Sequence, residues 1–391
     1  MIKENTRMNT LTKNQSEYEL MLYDTKVATI NIEDGEVLID SNLPIGLSLI
    51  SEPHTVKDAV KNIFAFQDWC SSRILMMSQK HAKKICNALA ISQDLSTESK
   101  AKIALTYHCS TLNDNYWVRK QGENISFQEV SLFYNTSQNI LTPVSLKGKT
   151  SSLFREKLKN WSDLGVDGTL AKSWVRDGKE YYLYKECDNA EGEVLAAQIL
   201  SALNVSHVDY ELVQDDITMT KCKCFTDDTV GFVPYRTWLK EYGTDSLELI
   251  KENFLQGYAN LAVCTYLIGN EDLHDKNWGI LIDQTGNAKG LSPMFDFDGC
   301  FLSYRASADA PFLPECRFID EDGKEFLYYD FDIDSCYTLS GPTIKEVAIR
   351  YAKESTVDFS DFDFSIVPEK FRSEFQKRAY EIIEEQKKQK E

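Results

Sequence analysis

The longest stretch of helical periodicity in the chain, SLELIKENFLQGYANLAVCTYLIG (246–269), runs directly into GNEDLHDKNWGIL (269–281). There Asp272, His274, Lys276 and Asn277 crowd into a short loop before a second apolar run. Any fold must bury the helix on one side of this loop and the strand-like WGILID on the other. The loop is thereby held at both ends, and its polar groups either cap a helix that faces water or converge on a ligand.

The rest of the chain sets bounds. At 391 residues it is long enough for two or three domains, and 42% hydrophobic and 12% aromatic content are ordinary for a folded soluble protein. A formal net charge of −18 argues against a protein whose main business is gripping a phosphate backbone, so no direct nucleic-acid binding is expected. The ten cysteines are scattered, and the opening MIKENTRMNTLTKNQ has no apolar targeting core, which reads as reduced thiols in a cytoplasm. Cys222 and Cys224 fit alternate strand positions better than half of a zinc site. No run approaches the ~18 apolar residues of a membrane span.

Four regions follow from the patterning. Residues 1–16 read as a loose polar N-terminus, and 17–159 as an accessory α/β portion. In that portion, short strands around the turn signal EDGE precede the helical VKDAVKNIFAFQDWCSSRILMM and HAKKICNALAI. TLNDNYWVRK (111–120) reads as a packed aromatic corner. Residues 160–236 form a small β-rich lobe with one helix. Its hairpin turns at RDGK, EGEVLAAQILSALNV is the helix, and HVDYELVQ and TMTKCKCFTD are further strands. Residues 237–391 form a larger helical lobe, in which WGILID and GLSPMFDF read as strands around the turn QTGNAKG. The expected class is α+β, in two lobes with a ligand between them.

The polar residues suit phosphoryl transfer. That chemistry needs a carboxylate near the acceptor hydroxyl and oxygen ligands that hold Mg²⁺ against the phosphates. Asp272, with Asn277 five positions later, supplies both from one loop, and SPMFDFDG offers Asp296 and Asp298 as a further carboxylate. Period-two alternation would place those two on one strand face, which leaves the choice between them open. Lys185 ends the strand YYLYK, Glu191 and Glu193 open the next helix, and LGVDGTLAK carries Gly165 and Gly168, whose backbone N–H groups could meet phosphates. Each piece alone has a plain structural explanation. Their order along the chain favours convergence.

GNEDLHDKNWGIL followed by LSPMFDFDG resembles the Asn-x-Asp-x-His-x-x-Asn and Pro-x-x-Asp pair of HipA-like serine/threonine kinases. DGTLAKSWV, YLYKE and GEVLAAQIL are similar to that family's phosphate-loop, lysine and acidic-helix segments, so that the likeness spans roughly residues 160–310. The resemblance implies a two-lobed kinase fold that uses ATP and Mg²⁺. It makes Asp272 the catalytic base, Asn277 and Asp296 the metal ligands, and His274 the support of the catalytic loop. Asp296 is preferred because it falls three residues after Pro293. Gly165, Gly168, Thr169 and Lys172 would serve the nucleotide, with Lys185 on its phosphates and Glu193 paired to that lysine. Gly165 and Asp167 stand where some members carry a regulatory serine, although Thr169 and Ser173 lie close. A protein substrate with a Ser/Thr hydroxyl, a toxin or stress-regulating role and an antitoxin-like protein partner go with the family. Two other readings keep much of the same set: a phosphoinositide-type lipid or small-molecule kinase, and a non-catalytic ATP-binding module that acts through a protein partner.

Overall fold

Apolar residues in EYELML and TKVATIN make the first sheet, in a computed structural model that describes residues 16–93, 96–135, 141–149, 165, 168–320, 325–326 and 337–388. Helices and antiparallel sheets mix throughout, the α+β class expected from the patterning. No helix among the described residues is long and apolar enough to cross a membrane. The chain divides into two compact units. One holds the described residues up to Lys185 with Thr226–Gly231 and Ile282–Asn287, and the other holds the remainder.

In the first unit, strands β1 (Glu17–Leu22), β2 (Thr25–Asn31), β3 (Val37–Ile39) and β4 (Tyr116–Lys120) form an antiparallel sheet in the order β3-β2-β1-β4. Leu20 pairs with Ala28 and Met21 with Lys26, so Val27 is an extra residue on β2; this bulge lets the consecutive Val27 and Ala28 both be buried. Helix α1 (Val56–Ser71) starts at Thr55, whose side chain accepts from the Asp58 amide, and it buries Phe66, Trp69 and Cys70. It packs on α3 (Thr97–Thr106), with α2 (Ala82–Leu89) between them in sequence.

The TLNDNYWVRK corner is tied down by Arg73. Its guanidinium lies 3.9 Å from the Trp69 ring centroid, binds both Asp114 carboxylate oxygens at 2.7 and 3.0 Å, and donates to the Cys109 carbonyl at 2.8 Å. Short helices α4 (Phe127–Val130) and α5 (Thr142–Lys147) lead to a hairpin of β5 (Lys172–Asp177) and β6 (Glu180–Glu186), which turns at RDGK as expected.

The second unit opens with α6 (Ala190–Ala202) and a hairpin of β7 (Tyr210–Gln214) and β8 (Thr218–Lys223). Strand β9 (Gly231–Pro234) leads into α7 (Tyr235–Tyr242) and then α8 (Ser246–Ile268). Non-helical dihedrals at Phe254 kink α8, and the half beyond the kink is buried almost without interruption from Tyr258 to Ile268. Strands β10 (Gly279–Ile282) and β11 (Ala288–Leu291) join β9 in a sheet of order β11-β10-β9. A sheet that the sequence reading did not anticipate, β12 (Arg317–Asp320), β13 (Glu325–Phe326) and β14 (Tyr337–Ser340), precedes α9 (Ile344–Arg350) and α10 (Glu369–Lys387).

One expectation is corrected. GLSPMFDF was expected as a strand, but β11 stops at Leu291 and the segment beyond it is irregular. Pro293 has no N–H for a ladder, and Asp296 takes a left-handed φ of +62°, which no strand accommodates. The same-face argument for Asp296 and Asp298 therefore does not apply.

Helix α10 is fastened to the end of α8 by Arg378, which is fully buried. Its guanidinium donates to the backbone carbonyls of Tyr266 (2.5 Å) and Tyr304 and to Ser307 Oγ (2.9 Å), and it lies between the Tyr266 and Tyr304 rings. Arg378→Ala would take the charged donor from two buried carbonyls and leave a cavity between the Tyr266 and Tyr304 rings, and should destabilise this unit by about 3 kcal/mol. Arg378→Lys, which keeps the charge and loses the fork, should recover less than half of that in urea unfolding.

Candidate active site

Helix α8 ends at Gly269, whose left-handed φ of +61° is the ordinary chemistry of a helix C-terminus. A Cβ there would fall 2.7 Å from Ser307 Oγ and from the Tyr304 ring. The chain then enters the 270–277 loop, which is built from its own polar groups. The Asp272 amide donates to Asn270 Oδ1 at 3.0 Å, and Asn270 is buried. The Asp272 carbonyl accepts from the His274 amide at 2.9 Å and from Asn277 Nδ2 at 3.0 Å. His274 accepts the Lys276 amide on Nδ1 at 3.2 Å. Asn277 is thus buried with its amide nitrogen committed and its oxygen left as the remaining polar atom, while Asp272 is exposed.

The loop is also anchored to α7. Arg236 grips the buried Asp275 carboxylate with Nε (2.7 Å) and Nη2 (3.1 Å), and its amide donates to the Asp275 carbonyl at 2.7 Å. Beside it, the Tyr235 amide donates to the Trp278 carbonyl at 2.9 Å, and the two rings stack with centroids 4.2 Å apart. The sequence reading missed this clamp. Asp275 sits among more eye-catching residues, and only the fold pairs it with an arginine 39 positions away.

A second segment, 294–301, meets the loop at Gly299. A Cβ on Gly299 would lie 2.9 Å from Asn270 Oδ1, 2.9 Å from Asp272 Cβ and 3.2 Å from the Asp272 amide nitrogen. Only glycine fits without displacing that backbone. Three residues earlier, Asp296 holds its positive φ while its amide donates to the Tyr210 hydroxyl at 3.0 Å. Burial pushes the Tyr210 phenol well above its ordinary range, with the Cys222, Glu193 and Asp296 charges adding to the shift, so it stays neutral. Phe297 is buried and donates its amide to Glu193 Oε1 at 3.2 Å, while Thr220 Oγ1 donates to Glu193 Oε2 at 2.6 Å. The fully buried Glu193 on α6 is therefore bonded to the backbone beside Asp296, whereas Glu191 is exposed.

Gly168, Thr169, Lys172 and Lys185 lie in the first unit with Gly165, and Asp167 falls outside the described residues. Lys172 and Lys185 occupy directly opposed positions of the β5–β6 pairing, and Lys185 is buried. A Cβ on Gly168 would fall 2.3 Å from Lys172 Nζ, so the 168–172 loop folds its lysine back over that glycine. The exposed Thr169 accepts the Lys80 amide on its carbonyl at 2.7 Å. The structure thus gathers Glu193, Asp272, His274, Asn277 and Asp296 within the second unit, and Gly168, Lys172 and Lys185 within the first.

The donor set suits Mg²⁺, which takes hard oxygen ligands, keeps several waters and needs only one or two protein groups beside substrate phosphates. Asn277 offers an amide oxygen and Asp296 a carboxylate. Among the described residues, no group of three or more His, Cys, Asp or Glu is arranged to hold a metal by itself.

Left-handed backbone at Asp296 costs stability that glycine would not incur. Asp296→Gly should therefore raise the stability of the second unit by about 1 kcal/mol in urea unfolding, whereas Asp296→Ala should not. A destabilised glycine variant would show that the carboxylate, rather than the backbone, dominates there.

No protein-family model matches the sequence, and no curated protein matches it. Among solved structures the chain is similar to a Helicobacter pylori proinflammatory kinase, CtkA, with 17% identity and a TM-score of 0.37 over 56% of this chain and 90% of that one. It is also similar to HipA from a Shewanella oneidensis MR-1 toxin–antitoxin complex of HipA, HipB and operator DNA, with 11% identity and a TM-score of 0.49 over 95% of this chain and 97% of that one. Both likenesses are remote, and neither assigns chemistry to this chain.

Proposed function

We propose that the chain is an ATP- and Mg²⁺-dependent serine/threonine protein kinase that transfers the γ-phosphate of ATP to a protein hydroxyl. The observation that carries this reading is the meeting at Gly299, which locks the backbone beside Asp296 against that of Asp272. An exposed carboxylate, a buried amide oxygen and a second carboxylate then project from two mutually braced loops. Phosphoryl transfer asks for that combination, because its catalysis is mostly positioning and charge stabilisation.

In this reading Asp272 orients the acceptor hydroxyl and takes its proton. Its own amide and carbonyl are both bonded within the loop, which fixes the backbone that presents the carboxylate. Asn277 and Asp296 would hold Mg²⁺, which when bound neutralises charge on the phosphates. His274 supports the loop through the Lys276 amide and does not handle the proton. Lys185, with Gly165, Gly168, Thr169 and Lys172, serves the nucleotide phosphates, and Glu193 fixes the backbone at Phe297. On the motif resemblance, the same reading extends to a toxin or stress-regulating role with a regulatory protein partner of antitoxin type.

The test is transfer from γ-labelled ATP with Mg²⁺, with intact-mass analysis of the chain and of a generic protein acceptor. Asp272→Asn should lower transfer by roughly 10²–10⁴-fold and leave nucleotide affinity within about twofold. Transfer that persists in Asp272→Asn would remove Asp272 from its role. Wild-type protein that binds Mg-ATP but labels only inositol lipid, or nothing, would overturn the protein-kinase reading.

A further inference from the structure

Asn189 precedes α6 at the position where asparagine ordinarily caps a helix, yet its side chain makes no capping hydrogen bond. Its Nδ2 donates instead to the backbone carbonyls of Asp298 at 3.0 Å and Cys300 at 2.7 Å, more than a hundred residues away. Room for this is kept by Gly192, where a Cβ would fall 2.4–2.7 Å from the atoms of the Asn189 amide. The chain forgoes a local cap and places a small residue one turn on, so that one amide can reach a distant loop.

The loop it reaches is strained at both ends. Asp296 and Phe301 have φ of +62° and +60°, and for a bulky aromatic that region is an outlier. Between them, α6 contributes three bonds: two from Asn189 to the 298 and 300 carbonyls, and one from the Phe297 amide to Glu193. Strained backbone persists only where its surroundings over-determine it, and here the over-determination comes largely from one helix.

We propose that Asn189 is a positioning residue. By holding the carbonyls of Asp298 and Cys300, it keeps the 296–301 segment in its strained form and fixes the direction in which Asp296 presents its carboxylate. The role of Asp296 rests on the kinase reading, whereas the strap itself does not. A residue that merely started α6 would use its side chain on the helix amides, and this one does not.

Asn189→Ser and Asn189→Asp separate the two roles, because both can cap α6 and neither carries the amide NH₂. Hydrogen–deuterium exchange of the full chain, read by mass spectrometry, should show amides in 295–302 exchanging about tenfold faster or more. Peptides from α6 and from the buried half of α8 should keep their wild-type rates. In the phosphate-transfer assay the half-saturating Mg²⁺ concentration should rise about tenfold, with KM for the protein acceptor unchanged. Unchanged exchange in 295–302, or an equal increase across α6 and α8, would overturn the strap. Faster exchange with an unchanged Mg²⁺ requirement in an active enzyme would overturn its link to Asp296. If wild-type protein transfers no phosphate, the kinase reading has failed on its own terms, and the exchange experiment still decides the strap.

Discussion

Where the backbone of residue 299 passes Asp272 there is no room for a side chain, and the organisation of the second unit turns on that closeness. One loop runs from the end of α8 to β10 and the other follows β11, so both border the sheet β11-β10-β9, on which α8 also packs. Each loop is rigid in a different way. The 270–277 loop bonds to itself through Asn270, His274 and Asn277 and is anchored to α7 through Arg236 and Asp275. The 294–301 segment is held from outside, by Asn189, Glu193 and Tyr210. A loop anchored on α7 and pressed against one held by other residues gives a geometry in which the second can move without unfolding the first.

Arginine forks hold acids in both units. In the second, the buried acids are answered by hydrogen bonds and by arginine: Glu193 by Thr220 and the Phe297 amide, and Asp275 by the fork of Arg236. In the first, Lys172 and Lys185 face each other across a hairpin. An acid of that unit, Asp114, is likewise held by the fork of Arg73.

Much of this was legible in the sequence because it is local. The periodicity of 246–268 marked α8, RDGK marked the β5–β6 turn, and the close spacing of Asp272, His274 and Asn277 marked a loop whose residues do bond to one another. What was not legible depends on contacts between distant parts. The alternation in GLSPMFDF imitates a strand, whereas bonds from Tyr210, Glu193 and Asn189 hold the segment around a left-handed Asp296. Asn189 reads as an ordinary helix cap, and Asp275 as one more solvated acid, until Cys300 and Arg236 are brought beside them. The β12–β14 sheet lacked a clear period-two signature and was not anticipated.

The fastening of α10 to α8 has a consequence for how the protein comes into being. Arg378 secures the carbonyl of Tyr266, only a few residues before Gly269 and the 270–277 loop, and Tyr266 in turn donates its hydroxyl to Glu381 at 2.6 Å. A ribosome delivers the loop about a hundred residues before it delivers that arginine, at a pace of ~5–20 residues per second. For several seconds, therefore, each nascent chain carries its 270–277 loop on a helix whose end is not yet secured. That fastening is deferred until α10 has emerged, so that a chain abandoned midway through translation would be released with this end of α8 unsecured.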